Sequence, residues 1–263
     1  MENVLLERQG YKLTMTINKP ETLNALNTSV IKQIDAACDQ IRAWLDEGED
    51  IRCVIVTGAG EKSFVAGADI AEMSQMNLAD AHRFGYDCNK GLRNLETLPV
   101  PVVGALNGFT LGGGLELALA CDLRIASDKA KLAFPETGLG ITPGSGGTQR
   151  MARLVGPAIA KDLIFTGRFI GADEAFSLGI VNKVVPAAEL KAEVEAYTDL
   201  ICAKAPFATR AAKQSVSRGL QCDIDTGIAI EIETFCQCFT TEDQKEGMAA
   251  FLEKRKDVVY KNK

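Results

Sequence analysis

Apolar positions near the start of the chain alternate with polar ones. Leu13, Met15 and Ile17 fall on one side, and Lys12, Thr14 and Thr16 on the other. That is the period of a half-buried β-strand, and Asn18, Lys19 and Pro20 end it. From Ser29 to Asp46 the interval lengthens. Val30, Ile34, Ala37, Ile41 and Leu45 recur at helical spacing. The continuous apolar run Cys53–Thr57 predicts a buried strand stopped by Gly58 and Gly60. Val102–Leu106 predicts another, between Pro101 and Asn107-Gly108. Gly112, Gly113 and Gly114 precede a helical run over Leu115–Cys121. Short strands follow at Leu123–Ala126 and Lys131–Phe134. A second glycine-rich loop, Gly138 to Gly147, leads into a helix near Gln149–Leu154. Strands mixed with helices predict an α/β core. From about Ala188 the pattern is almost wholly helical, with breaks at Ala205-Pro206, Gly219 and Thr240-Thr241. The expected division is a mixed core over residues 1–187 and a helical region over 188–263.

Composition narrows the function classes. Apolar residues make up 46% and charged residues 24% of 263 residues, the balance of an ordinary globular protein. The formal net charge is -6, which gives no general attraction for nucleic acid or anionic lipid. Met1 to Gly10 carries Glu2, Glu7 and Arg8 and does not read as a secretory signal. No charge-free apolar run approaches 18 residues. A cytoplasmic protein without membrane spans is therefore the expectation. The eight cysteines are scattered and read as free thiols. Cys236 and Cys238 have no His or second Cys cluster nearby, so no zinc site is expected.

Several catalytic patterns fail. In Gly58-Ala59-Gly60-Glu61-Lys62-Ser63, Glu61 interrupts the Gly-Lys-Ser of a phosphate loop, and Gly112–Gly114 is not a dinucleotide fingerprint. The only histidine, His82, lies in a polar helical stretch and reads as a surface residue. Two acidic residues stand apart. Glu116 follows the glycine run at the start of an apolar helix. Glu136 sits in Phe134-Pro135-Glu136-Thr137-Gly138, between a strand and a glycine loop. Each has a plain reading; a first-turn carboxylate complements the helix dipole. Together, in apolar and glycine-rich settings, they suit proton transfer. In Phe64-Val65-Ala66-Gly67-Ala68-Asp69-Ile70, small residues let a ligand approach the main chain. That turn and a helix N-terminus at Gly113 could aim two N–H groups at one oxygen.

Taken jointly, these stretches resemble the signature of the crotonase (enoyl-CoA hydratase/isomerase) family. The resemblance rests on Ala66-Gly67-Ala68-Asp69, on Asn107 through Glu116, on Pro135-Glu136 and on Pro143 through Arg150. Asn24 through Asn27, Thr166-Gly167 with Ala172 and Ala175, and Glu246 through Lys256 extend it over essentially the whole chain. Short-chain, clostridial-type members are the most similar. The resemblance implies a spiral of ββα turns and a C-terminal helical region that forms a trimer, often stacked into a hexamer. It implies reversible hydration of a short trans-2-enoyl-CoA such as crotonyl-CoA. Glu116 would activate the water and Glu136 would supply the C2 proton. Ala68 N–H and Gly113 N–H would form the oxyanion hole. Ala66, Ala68, Phe251 and Lys254 match positions that contact coenzyme A. No cofactor or metal is implied, since coenzyme A is part of the substrate.

Two departures from the commonest family pattern concern the pocket. Leu115 stands where many members have Cys, and Leu132-Ala133-Phe134 replaces a more usual Phe-Gly-Gln. Phe134 is expected to narrow or dry the space beside Glu136. The family also contains isomerases, which often keep only the second carboxylate, so retention of both favours a hydratase. An RNA-binding relative would carry a lysine-rich early helix; here that helix ends in Asp46-Glu47-Gly48-Glu49-Asp50.

Overall fold

The computed structural model describes residues 2–263. The chain opens with an antiparallel hairpin of β1 (Val4–Gln9) and β2 (Lys12–Ile17), followed by α1 (Thr28–Asp46). It then repeats a unit of long strand, short strand and helix. The first repeat is β3 (Cys53–Gly58), β4 (Ser63–Val65) and the helices α2 (Ile70–Met73) and α3 (Leu78–Glu96). The second is β5 (Val102–Leu106), β6 (Phe109–Leu111) and α4 (Gly113–Leu119). The third is β7 (Leu123–Ser127), β8 (Lys131–Ala133) and the helices α5 (Gly147–Val155) and α6 (Pro157–Thr166). The segment β9 (Ile170–Gly171), α7 (Ala172–Ser177) and β10 (Lys183–Val185) closes the series.

The long strands form one sheet, ordered β1-β2-β3-β5-β7-β10, and the short ones a second, β4-β6-β8-β9. Pairing is parallel from β2 to β10 and from β4 to β8. Each repeat therefore lays one strand in each sheet, which is the expected ββα spiral. Four helices follow: α8 (Leu190–Cys202), α9 (Pro206–Gly219), α10 (Ile224–Cys238) and α11 (Glu242–Leu252).

The burial pattern explains the continuous apolar runs. In β3, Val54 and Val56 join the main core with α1 and α3, whereas Cys53 and Ile55 face a second core closed by Leu190, Val194 and Cys202 of α8. Both faces of the sheet are covered, so alternation disappears from the inner strands. Truncating one of these fully buried side chains to Ala costs about 2–5 kcal/mol. Helix α1 buries Val30, Ile34, Ala37 and Ile41 as its spacing predicts, and Asn27 Oδ1 caps it by accepting from Val30 N at 2.9 Å.

Three differences from the sequence reading have physical causes. Strand β1 was not expected; it is an edge strand on which only Val4 is buried, so its pattern carries no alternation. The strands β4 and β6 have three residues each, too short to show a period. Helix α4 starts at Gly113 rather than Leu115. Glycine is a poor helix former, but here it permits contact: a Cβ on Gly114 would lie 2.0 Å from Val65 O. Only glycine lets α4 press directly on the backbone of β4.

All eight cysteines are free. Among the described residues no group of three His, Cys, Asp or Glu side chains could hold a metal ion, and no helix is long and apolar enough to cross a membrane.

Candidate active site

The close approach of α4 to β4 brings the turn after β4 beside the first turn of α4. In that turn Leu26 N–H donates to Gly67 O and Asp69 N–H donates to Leu26 O, both at 2.8 Å. Those bonds fix the segment while Ala68 N–H makes no protein hydrogen bond among the described residues. Gly113 N–H, the first of α4, has no partner within its helix either. The space a Gly113 Cβ would fill is bordered by Leu26 Cδ1 at 3.4 Å, Ala68 N at 3.8 Å and Glu116 Oε2 at 3.9 Å. A free amide and a carboxylate oxygen thus border the small space over Gly113.

Glu116 is only 2% exposed. Its Oε1 accepts from Ser145 N at 2.7 Å and Gly147 N at 2.8 Å. Burial raises its proton affinity, while the two amides and the charge of Arg150 act against that rise. Oε1 is therefore saturated by backbone, and Oε2 is the oxygen left toward Gly113.

Glu136 begins the short helical turn Glu136–Leu139 that follows β8. Its side chain lies over the preceding glycine of the run: a Cβ on Gly112 would meet Glu136 Oε1 at 2.8 Å. Gly112 also has φ +49, a conformation that favours glycine. Glu136 Oε2 is buried and has no hydrogen-bond partner among the described residues. Burial pushes this carboxyl up to about 7, and the charge of Glu116 adds to the rise. The two carboxylates thus differ by environment. Burial raises both carboxyls; at Glu116 two N–H bonds offset part of the rise, whereas Glu136, with Oε2 unpartnered among the described residues, is raised to about 7.

Comparison with known proteins shows the family. The family described as enoyl-CoA hydratase/isomerase matches residues 8–262.

The chain belongs to the enoyl-CoA hydratase/isomerase family.

This family member is 51% identical to the short-chain-enoyl-CoA hydratase of Clostridium acetobutylicum, over 100% of the chain and 99% of the relative. It is 48% identical to the crotonyl-CoA hydratase of Syntrophomonas wolfei, over 97% and 96%. The crystal structure of enoyl-CoA hydratase from Bacillus anthracis superposes with a TM-score of 0.94 at 39% identity, covering 99% of this chain and 100% of that one.

Within the hydratase/isomerase site, the structure brings together four residues singled out from sequence: Ala68, Gly113, Glu116 and Glu136. Ala66 lies on the same turn, with its N–H donated to Leu23 O at 3.0 Å. Phe251 stands exposed in the last turn of α11 and Lys254 stands exposed just beyond it. His82 is exposed on α3.

Two supporting features escaped the sequence reading. The amides of Ser145 and Gly147 lie in the Pro143–Arg150 motif, whose contact with Glu116 depends on a fold 29 and 31 residues away. Arg124, 5% exposed, donates to Cys121 O and Ile180 O at 2.6 Å each and anchors the far end of α4. A cation there complements the C-terminal carbonyls.

Proposed function

We propose that this chain catalyses reversible addition of water to short trans-2-enoyl-CoA thioesters, with crotonyl-CoA giving 3-hydroxybutanoyl-CoA. The observation that carries the reading is the pair Glu116 and Glu136 on either side of the glycine run, beside the free amides of Ala68 and Gly113. The relatives' names support the same substrate class.

In the hydration direction the thioester oxygen accepts from Ala68 N–H and Gly113 N–H. Glu116, held as a carboxylate by Ser145 and Gly147, takes a proton from water through Oε2 as the water oxygen bonds to C3. The electrons of the C2=C3 bond move toward the thioester, forming an enolate-like oxygen in the oxyanion hole. Glu136 gives its proton to C2 and restores the carbonyl. One water is consumed and the pair retains one proton, ready to redistribute. Two positioned donors each contribute about 3 kcal/mol in the transition state, and the acid–base pair adds about 10²–10⁴-fold. No resident cofactor is part of this scheme; coenzyme A belongs to the substrate. The Ala66 N–H is already engaged, so an Ala66 contact with coenzyme A uses its carbonyl or methyl group. Phe251 and Lys254 are assigned to the adenosine end of coenzyme A.

The same proposal includes a homo-oligomer, a trimer or hexamer, built through the helical region 188–263. Ile224, Ile228, Ile232 and Phe235 of α10, and Phe239 at its C-cap, are all exposed. That helix carries Asp225, Glu231 and Glu233 and no basic residue. A cavity of about 730 Å³ elsewhere on the chain has Arg93, Arg150, Arg153, Arg210, Lys213 and Arg218 in its lining, in excess over the acidic Glu96 and Asp122. An acidic, apolar helix and a basic cleft are complementary between copies. A cytoplasmic location, with no nucleic-acid or membrane partner, completes the reading.

The deciding experiment is a rate series with four-, six-, eight- and ten-carbon enoyl-CoA substrates, following loss of the conjugated thioester absorbance. The expected result is hydration, fastest with four carbons. Absence of hydration with a shift of the double bond between C2=C3 and C3=C4 would instead identify an isomerase. A flat or rising series would remove the short-chain assignment alone.

A further inference from the structure

Phe134 is fully buried at the end of β8 and precedes Pro135-Glu136. Its ring reaches the other carboxylate as well. The position a Gly147 Cβ would occupy lies 2.7 Å from Phe134 Cε1, 2.9 Å from Glu116 Cγ and 2.9 Å from Glu116 Oε1. Ring, glycine and carboxylate therefore meet at one point. Gly147 is also the residue whose N–H donates to Glu116 Oε1 at 2.8 Å. The phenyl edge closes the flank of that hydrogen bond, offers no donor of its own, and leaves no room for a side chain at residue 147.

The other titratable groups near Glu116 are few. Glu136 lies across the glycine run, Arg150 acts from α5 and the buried thiol of Cys88 faces from α3. The Cys88 thiol is pushed up to about 12 by burial and stays neutral at ordinary pH. The polarity around Glu116 is thus governed by the Ser145 and Gly147 amides, the Ser145 side chain, the charge of Arg150 and whatever fills the Phe134 position.

We propose that Phe134 is a positioning residue for the hydration proposed above: its ring keeps the Oε1 flank of Glu116 dry and leaves that oxygen to the 145–147 segment, so that Oε2 faces the water as a strong base. This rests on that functional reading. A polar side chain at residue 134 would add a third hydrogen bond to the carboxylate and weaken it as a base. The oxyanion hole and the approach of coenzyme A would be untouched, because neither involves residue 134.

The test uses the purified full chain with crotonyl-CoA, comparing Phe134→Gln with Phe134→Leu. For the Gln variant the acidic limb of kcat/KM against pH moves down by about 1 unit, kcat falls about 10-fold, and KM stays within about 2-fold. For Phe134→Leu, which keeps the flank apolar, the limb stays in place and kcat falls less than about 3-fold. Should the Gln variant not fold, Phe134→Ala carries the test, since it admits water to Oε1 and moves the limb down likewise. An unmoved limb in a folded Gln or Ala variant overturns the proposal. So does an equal shift in the Leu variant, because shape rather than dryness would then govern the base. Absence of hydration by the unaltered chain would refute the functional reading first, and is a separate result.

Discussion

Replacing Gly113 with Ala separates catalysis from folding at one position. Gly113 opens α4, and its φ lies outside the left-handed region, so the backbone accepts an L-residue. The added Cβ would meet Leu26 Cδ1 at 3.4 Å, with Ala68 N and Glu116 Oε2 at 3.8 and 3.9 Å. These are ordinary contacts, and Ala is a better helix former than Gly by about 0.5–1 kcal/mol. Thermal stability should therefore hold or rise slightly. The methyl group, however, occupies the space between the Ala68 amide and the Glu116 carboxylate. A thioester oxygen displaced from Ala68 N–H loses about 2.7–4 kcal/mol of transition-state stabilisation, a fall of about 10²–10³ in kcat. The assay is crotonyl-CoA hydration alongside a melting curve. Gly114→Ala is the contrasting variant; its Cβ, 2.0 Å from Val65 O, should damage the fold itself. A folded Gly113→Ala protein with near-normal kcat/KM would refute the placement of the oxyanion hole.

Four further outcomes follow from the same structure. Hydration should show a bell-shaped pH dependence, because the working state of the coupled pair holds one proton; its basic limb should fall as pH rises through about 7, where Glu136 ionises. Glu136→Gln should increase stability at pH 8 by about 1–3 kcal/mol. The sign follows from a folded value raised to about 7 from 4.5: the carboxyl penalises folding above 7, and the gain disappears near pH 4.5, which denaturant titrations at two pH values would check. Arg124→Ala should cost about 3 kcal/mol or more by stranding buried carbonyls at Cys121 and Ile180, read as a lowered denaturation midpoint. Light scattering should give a trimer or hexamer, whereas a clean monomer at micromolar concentration would contradict the oligomer.

Much of the site was legible because its chemistry is local. Glu116 and Glu136 stand out as acids among glycine, proline and apolar residues, and Ala68 and Gly113 sit where small residues expose the main chain. The long strands β3 and β5 were legible because burial on both faces leaves an unbroken apolar run. Less was readable where the cause is tertiary. Nothing near Ser145 or Gly147 in sequence announces that their amides hold Glu116. Nothing in the sequence of β7 marks Arg124 as buried, yet carbonyls of Cys121 and Ile180 satisfy its guanidinium. Phe134 was expected beside Glu136, and its ring also borders Glu116 through Gly147. Strand β1 was missed because an edge strand needs little apolar patterning.

The most direct test of the two-carboxylate account is crotonyl-CoA hydration by Glu116→Gln and Glu136→Gln, each checked for native melting behaviour and for binding of the hydroxyacyl-CoA product. The account predicts that each variant stays folded, binds product and loses at least about 10² in kcat. Near-normal turnover by either folded variant would contradict it.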